Sequence, residues 1–255
     1  MDINEIRRQY KLKYDLHTHT IYSCTGPYLH ATGSIIENVA AAHALGLETV
    51  GITDHGPHEI YGININKVPE MRREIELAKK LYPDIEVLLG VEANIVNTLN
   101  GTDLTDEQFA LFDFVNIGYH YGARNAAMIR NYLTHRNLLG RKENERLRAF
   151  NTDMALRAIY NNKIKVLTHP GDKAPFEIRE LCKACEDTGT LMEINARHTH
   201  MTIDEIKIAA EYDVKFIIGS DAHKPGQVGR YVMSVARAME AGLDLSRIVN
   251  LEERK

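Results

Sequence analysis

The feature that most constrains this chain is a recurring unit: a short apolar run, a polar terminus, then a helical stretch. Seven runs follow the plan, at Tyr14–His17, Glu48–Thr53, Glu86–Glu92, Phe114–Tyr119, Val166–His169, Leu191–Asn195 and Lys215–Ser220. Runs such as VLLGVE and KFIIGS are rich in Val, Ile and Leu without polar alternation. That pattern suits strands covered on both faces in a parallel sheet. The segments between them read as helices. Ser34–Leu45 opens on a capping serine and stops at Gly46. Pro69–Leu81 has proline near its first position, and Phe176–Asp187 ends before Gly189. Thr202–Glu211 begins with the capping box TIDE, and Gly226–Ala241 closes at Gly242. Strands alternating with helices, with no linker-like tract, predict one α/β domain across residues 1–255. Seven such units in 255 residues favour a TIM-like (β/α)7 barrel over an open doubly wound sheet. Either architecture gathers reactive groups at the C-terminal ends of the strands.

Those ends are polar in a particular way. They read Asp15-Leu16-His17-Thr18-His19, Thr53-Asp54-His55, Gly90-Val91-Glu92, Gly118-Tyr119-His120, Thr168-His169, Glu193-Ile194-Asn195 and Ser220-Asp221-Ala222-His223. Residues i and i+2 of a strand share a face, so His17 with His19, and Asp221 with His223, can each aim two groups at one point. Imidazole and carboxylate together suit zinc, manganese or iron. A lone histidine at a strand end is more often structural. Six ends agreeing point to a metal site instead.

Composition narrows the rest. Apolar residues are 44% and charged residues 26%, ordinary globular usage. The net charge of −4 gives no general affinity for nucleic acid or an anionic membrane. No apolar run approaches the ~18 residues of a spanning helix. The opening MDINEIRRQYKLKY lacks the apolar core of a signal peptide. Three cysteines make no disulfide framework, and Cys182-x-x-Cys185 falls in a helical pattern as a reduced face. A cytoplasmic enzyme, without a membrane or stable nucleic-acid partner and with homo-oligomer formation left open, is the expectation.

DLHTHT, ITDHG, GVEANI, GYH, THPG, EIN and GSDAH, in this order across nearly the whole chain, resemble the PHP (polymerase and histidinol phosphatase) family. The likeness is closest to its free-standing YcdX-type metal-dependent phosphatases. The resemblance implies a distorted (β/α)7 barrel with three divalent ions, zinc first and manganese or iron as alternatives, at its C-terminal mouth. It places His17, His19, Glu92 and Asp221 on the first ion. Glu92 would bridge to a second, held by His120 and His169. His30, His55 and His223 would hold the third. His30 follows an insertion that includes Gly26-Pro27 and is aligned by its distance to the helix ending at Gly46.

Three divalent ions against two carboxylates leave a positive core that a hydroxide and a phosphate ester would fill. The implied reaction is hydrolysis of a small phosphomonoester by a metal-bridging hydroxide. Asp221 would orient or deprotonate the water, and His223 or another acid would assist the leaving alkoxide. Arg197 is the best candidate for gripping phosphate, because its fork pairs two oxygens. Lys173, Arg124 and Lys224 are weaker candidates. Asp15 and Asp54 are expected to fix histidines or strand ends. His198 and His200 read mainly as exposed loop residues, His58 is ambiguous, and His43 and His135 read as structural. His169 lies 49 positions after His120, and the stretch between them is arginine-rich. They read either as a substrate-steering helix pair or as a solvated helix face. Rival functions are histidinol-phosphate phosphatase, nucleotide phosphodiesterase, an amidohydrolase-type C–N hydrolase, and a non-catalytic metal-binding module.

Overall fold

The structure, a computed structural model, describes residues 3–25, 28–123, 127–136 and 138–254. Each of the seven apolar runs contributes a strand: β1 (Tyr14–Thr18), β2 (Thr49–Ile52), β3 (Glu86–Asn94), β4 (Phe114–Gly118), β5 (Val166–Leu167), β6 (Leu191–Glu193) and β7 (Phe216–Ile217). They pair in parallel in chain order, giving one seven-stranded sheet. The helices are α1 (Ile3–Gln9), α2 (Ile35–Ala44), α3 (Val68–Leu81), α4 (Asp106–Phe109), α5 (Met128–His135), α6 (Arg141–Asn161), α7 (Ile178–Thr188), α8 (Ile203–Ala210) and α9 (Val232–Glu240). This is the distorted TIM-like barrel that the alternating pattern predicts.

Local chemistry sets the helix ends. Ser34 and Glu37 cap α2 reciprocally, as Thr202 and Glu205 cap α8. Gly189, with φ of 72°, ends α7 in the left-handed conformation that glycine adopts without strain. α3 buries Val68, Met71, Ile75 and Ala78, a stripe at helical spacing. α9 starts at Val232 rather than at the expected Gly226, because Pro225–Gln227 forms a tight turn and Gly229 takes φ of 71°. The arginine-rich interval supplies α5 and α6. Arg130 pairs with Glu143, Arg141 with Glu145 and Arg157 with Asp153, all at exposed positions. The solvated-face reading therefore describes this segment better than a steering one.

The sheet curls until its two edges meet at the top only. Thr18 bridges to Ala222, and His19 N–H donates to the Ala222 carbonyl at 2.8 Å. Lower down the gap is filled by Asn250, which is fully buried. Its Nδ2 donates to the Tyr14 and Ile218 carbonyls at 2.8 Å each. Its Oδ1 accepts from Ile218 N–H at 3.0 Å. One asparagine thus stands in for the missing strand pairing between β7 and β1.

Inside the barrel, the two-residue period of each strand converts sequence into layers. Leu88, Gly90 and Glu92 climb one face of β3. Val166 and Thr168, Leu191 and Glu193, and Ile217, Gly219 and Asp221 climb the others. The lower layer is apolar: Leu16, Val166, Leu191 and Ile217 pack together with Leu88 and Phe114 at their edge. Gly51 and Gly90 leave space for the Phe114 ring, since a Cβ at either would lie 2.7 or 2.6 Å from it. The upper layer is where histidines and carboxylates meet.

Candidate metal centre

Glu92, fully buried at the end of β3, is the hub. Its Oε1 lies 2.9 Å from His169 Nε2 and 3.2 Å from His17 Nε2. Its Oε2 lies 3.1 Å from His55 Nδ1, 3.4 Å from His120 Nε2 and 3.6 Å from His19 Nε2. Asp221 forms a second hub. Its Oδ1 lies 3.2 Å from His223 Nδ1, 3.4 Å from His19 Nε2 and 3.9 Å from His17 Nε2. His30 reaches the edge of the cluster, with Nε2 2.9 Å from His223 Nε2 and its ring stacked on Tyr61 at 3.6 Å. Side chains from six of the seven strand-end segments, with His30 from the loop after β1, thus come together, and they are the nine expected as metal ligands.

The donors do not divide into three separate spheres. Four sets of three have ligand atoms within 4.8 Å of one another: His17, His19 and Asp221; His17, Glu92 and His169; His55, Glu92 and His120; His19, His55 and His223. His17, His19, His55 and Glu92 each belong to two sets, so the centre is one continuous cluster. His55 lies with Glu92 and His120 as well as with His223, a sharing that spacing alone does not reveal.

The hydrogen-bond pattern tests whether the cluster suits cations. Seven buried donor atoms here have no hydrogen-bond partner: His17 Nε2, both nitrogens of His19, both of His55, Glu92 Oε2 and His120 Nε2. Each unsatisfied buried polar atom costs about 1–3 kcal/mol. One nitrogen from each ring lies within 4.8 Å of other ligand atoms, a separation a divalent ion would satisfy. Protonation alone serves the cluster poorly. Burial works to lower the His17 pKa, yet Glu193, Glu92 and Asp221 raise it well above 6.5. Burial, reinforced by His55 and His223, holds His19 well below that value. Burial takes His55 down to about 3 and His30 to about 4. Neighbouring rings are thus pulled in opposite directions around two carboxylates.

Other residues aim the cluster. A shift in register between Asp15 and Thr18 in β1 lets Leu16 join the apolar layer while His17 turns toward Glu92. Glu193 Oε1 accepts from His17 Nδ1 at 2.6 Å, leaving Nε2 for the centre. Gly219 makes this possible, since a Cβ there would lie 1.9 Å from Glu193 Oε1. Asn94 Oδ1 faces His120 Nδ1 at 2.8 Å, and Thr168 Oγ1 donates to Glu92 at 2.6 Å. His169 and Asp221 take φ of 29° and 50°, left-handed values that are uncommon for non-glycine residues, although His and Asp adopt them more readily than most.

Some expectations hold in part and others change. Of the two roles expected for Asp15 and Asp54 the structure shows the strand-end one, and among the described residues neither hydrogen-bonds to an imidazole: Asp15 accepts from the backbone of His17, Ser220 and Gly229, and Asp54 from Thr20 and Ser23. They pin strand ends and loops, while Glu193 and Asn94 fix the rings. His198 is not an exposed loop residue. It stands between Asp221 and Asp172, with ring nitrogens 3.1 and 3.2 Å from their oxygens. Those carboxylates override burial and raise its pKa to about 9. Sequence offered only its place three residues beyond Asn195. Arg197 Nη1 lies 2.6 Å from His223 Nδ1 and 3.5 Å from Asp221 Oδ1, at the rim. Lys173 is tied to Asp172 at 2.5 Å, His200 pairs with Glu205, and His58 and Lys224 are exposed. Arg124 lies outside the described residues. His43 pairs with Asp84 at the surface, and His135 ends α5. Cys182 and Cys185 are buried free thiols on α7, and burial pushes Cys182 up to about 12.

Comparison with known proteins agrees with this geometry. A probable phosphatase of Caldanaerobacter subterraneus subsp. tengcongensis is 31% identical over 240 residues, covering 88% of this chain and 82% of its own. One from Thermoanaerobacter sp. (strain X514) is 29% identical, over 96% of this chain and 93% of its own. A crystal structure of histidinol phosphate phosphatase from Lactococcus lactis subsp. lactis, complexed with zinc, L-histidinol and phosphate, superposes with a TM-score of 0.64. It does so at 18% identity, over 91% of this chain and 94% of that one, a likeness of fold. Residues 15–223 match the PHP domain and residues 205–247 a PHP-associated segment, from the first expected ligand region to beyond the last. The chain belongs to the PHP domain family.

Proposed function

We propose that this protein is a metal-dependent phosphatase that hydrolyses a small phosphomonoester at a trinuclear centre. Its kinship with probable phosphatases makes it a phosphoester hydrolase. The observation that carries the metal dependence is the convergence of seven unpartnered buried donor atoms around Glu92 and Asp221. His17, His19, His30, His55, Glu92, His120, His169, Asp221 and His223 would hold the ions. Imidazole-rich sites with few carboxylates favour zinc, with manganese or iron as alternatives. Bound divalent ions supply a nucleophile at neutral pH by lowering the pKa of water, and they neutralise phosphoryl oxygens.

The chain's own residues then orient and exclude. Thr168 holds Glu92, and Asn195 and His198 hold the Oδ2 oxygen of Asp221, which leaves its Oδ1 directed inward. Asp221 is placed to orient the attacking water. Arg197, at the rim beside His223, is placed to pair with phosphoryl oxygens once it swings from the ring. His223, next to Asp221, would hold an ion at the edge of the cluster, and the leaving alkoxide would take its proton from water at the mouth. The unusually polar floor ends at Glu193, and the apolar layer beneath it seals the barrel.

The test is phosphate release from sugar phosphates, histidinol phosphate and nucleotides after thorough chelation and after adding back zinc or manganese. Activity lost with the metal and restored by it is expected. Turnover unaffected by verified metal removal would refute the reading. Metal binding without turnover on any phosphate ester would favour a non-catalytic module.

A further inference from the structure

The Asp221 carboxylate is divided between two tasks. Oδ1 faces the ring cluster, toward His19, His223 and His17. Oδ2 faces away from it, 3.1 Å from His198 Nε2 and 3.4 Å from Asn195 Nδ2. The other nitrogen of His198 lies 3.2 Å from Asp172 Oδ2, and Lys173 Nζ closes the line at 2.5 Å from the same oxygen. Asp172 follows β5, His198 follows β6 and Asp221 follows β7, so three adjacent strand-end loops are joined side chain to side chain.

The loops are themselves fixed. His198 N–H and Arg197 N–H both donate to Asn195 Oδ1 at 2.8 Å. Asp172 N–H donates to the His169 carbonyl at 3.1 Å. The His198 ring meets the His169 ring edge to face, with centroids 5.2 Å apart. Thus the bridge contacts one proposed ligand through its ring face and another through its nitrogen. It belongs to none of the four donor sets.

We propose that Asp172 and His198 form a positioning pair that fixes the Asp221 carboxylate, and so sets how tightly the His17, His19 and Asp221 donors hold a divalent ion. The reasoning is geometric. A buried carboxylate free to rotate can turn either oxygen toward the rings, or spread both across them. His198 holds one oxygen outward and leaves the other as a single inward donor. Asp172 Oδ2 lies 3.2 Å from the far nitrogen as an ion-pair partner, which favours this ring position over one turned away. Partners that orient a metal-ligating group in this manner are commonly worth about 10- to 100-fold in metal affinity. This proposal rests on the metal-centre reading above and adds a role for residues outside the donor set.

The test measures zinc affinity and stoichiometry directly, by competition with a chromophoric chelator and by elemental analysis. The purified wild type is compared with Asp172→Asn, His198→Ala and the Asp172→Asn/His198→Ala double variant. Each single substitution is expected to weaken the tightest zinc site by about 10- to 100-fold. The double variant should be no weaker than His198→Ala, because both act through one contact. Ion-free melting is followed in parallel. Asp172→Asn keeps the shape of the side chain, so it carries the test even if His198→Ala fails to fold. Wild-type zinc affinity in Asp172→Asn overturns the proposal. So does a loss of affinity in the double variant equal to the product of the single losses. A wild type that binds no zinc overturns the metal-centre reading instead, which keeps the two failures distinct.

Discussion

Glu193→Gln is the sharpest single perturbation of the cluster, because the carboxylate is fully buried and faces donors on every side. Oε1 accepts from His17 Nδ1 at 2.6 Å. Oε2 accepts from His169 N–H and from Asn195 Nδ2, each at 2.8 Å. Glutamine keeps the volume but offers one accepting oxygen. If that oxygen stays with His17, the new NH2 confronts two donors, at about 1–3 kcal/mol for each one left unpaired. If the amide turns over, its NH2 faces His17 Nδ1, which must then accept. The ring proton moves to Nε2, the atom directed at Glu92. That tautomer cannot bind a cation through Nε2. The first arrangement costs stability and the second costs metal affinity, so the variant settles on a compromise between them. A disturbed orienting partner weakens metal binding by about 10- to 100-fold. The assay is thermal or urea unfolding with and without zinc. At a free zinc concentration near 100 times the wild-type Kd, the wild type gains about 2.7 kcal/mol. The variant should gain only about 0.4–1.4 kcal/mol under the same conditions. An equal zinc-induced gain in both proteins would refute the argument that Glu193 sets the His17 tautomer.

Asn250→Ala removes three side-chain hydrogen bonds from the seam between β7 and β1 and should destabilise the fold by about 3–4 kcal/mol in urea unfolding; a loss under about 1 kcal/mol would mean that the seam closes without it. Arg197→Ala should lower kcat/KM for a phosphomonoester by about 100-fold while zinc content stays at the wild-type level, and a variant that loses zinc instead would make Arg197 part of the metal-holding structure. Zinc affinity should fall as pH drops through the imidazole range. Despite burial, Glu193 and Glu92 keep His17 protonated above its ordinary value, and Glu92 does the same for His120, so zinc must displace those protons. Zinc binding that releases no protons near pH 7, measured in buffers of different ionisation enthalpy, would contradict this.

The strands were legible because each is both apolar and terminated by a polar motif. β5, β6 and β7 are only two or three residues long, yet their flanking THPG, EIN and GSDAH locate them. Capping boxes at Ser34 and Thr202 made two helix starts readable. What could not be read depends on three-dimensional neighbours. The seam filled by Asn250 joins residues more than two hundred positions apart, and nothing local marks it. The register shift in β1 that turns His17 inward beside Leu16 violates simple alternation. Glu193 stood in a recognised motif, but its role depends on the gap opened by Gly219 on the next strand. His198 was misplaced because a histidine in a polar loop has no local signature of the two carboxylates, from two other loops, that enclose it.

The sharing of donors has a physical consequence for the same reason. With His17, His19, His55 and Glu92 each in two sets, removing one side chain disturbs more than one ion position. Strain at His169 and Asp221 is consistent with a backbone that gives up local comfort to bring these donors together. The apolar layer beneath, with Phe114 set against Gly51 and Gly90, gives the rings a rigid base.

The most direct test of the central claim is anomalous X-ray diffraction at the zinc absorption edge from crystals of the purified, zinc-loaded protein. The account predicts peaks grouped between Glu92 and Asp221, within coordination distance of the imidazoles of His17, His19, His55, His120, His169 and His223. Crystals of zinc-loaded protein with no anomalous peak among those side chains, or with peaks only at the outer surface, would contradict it.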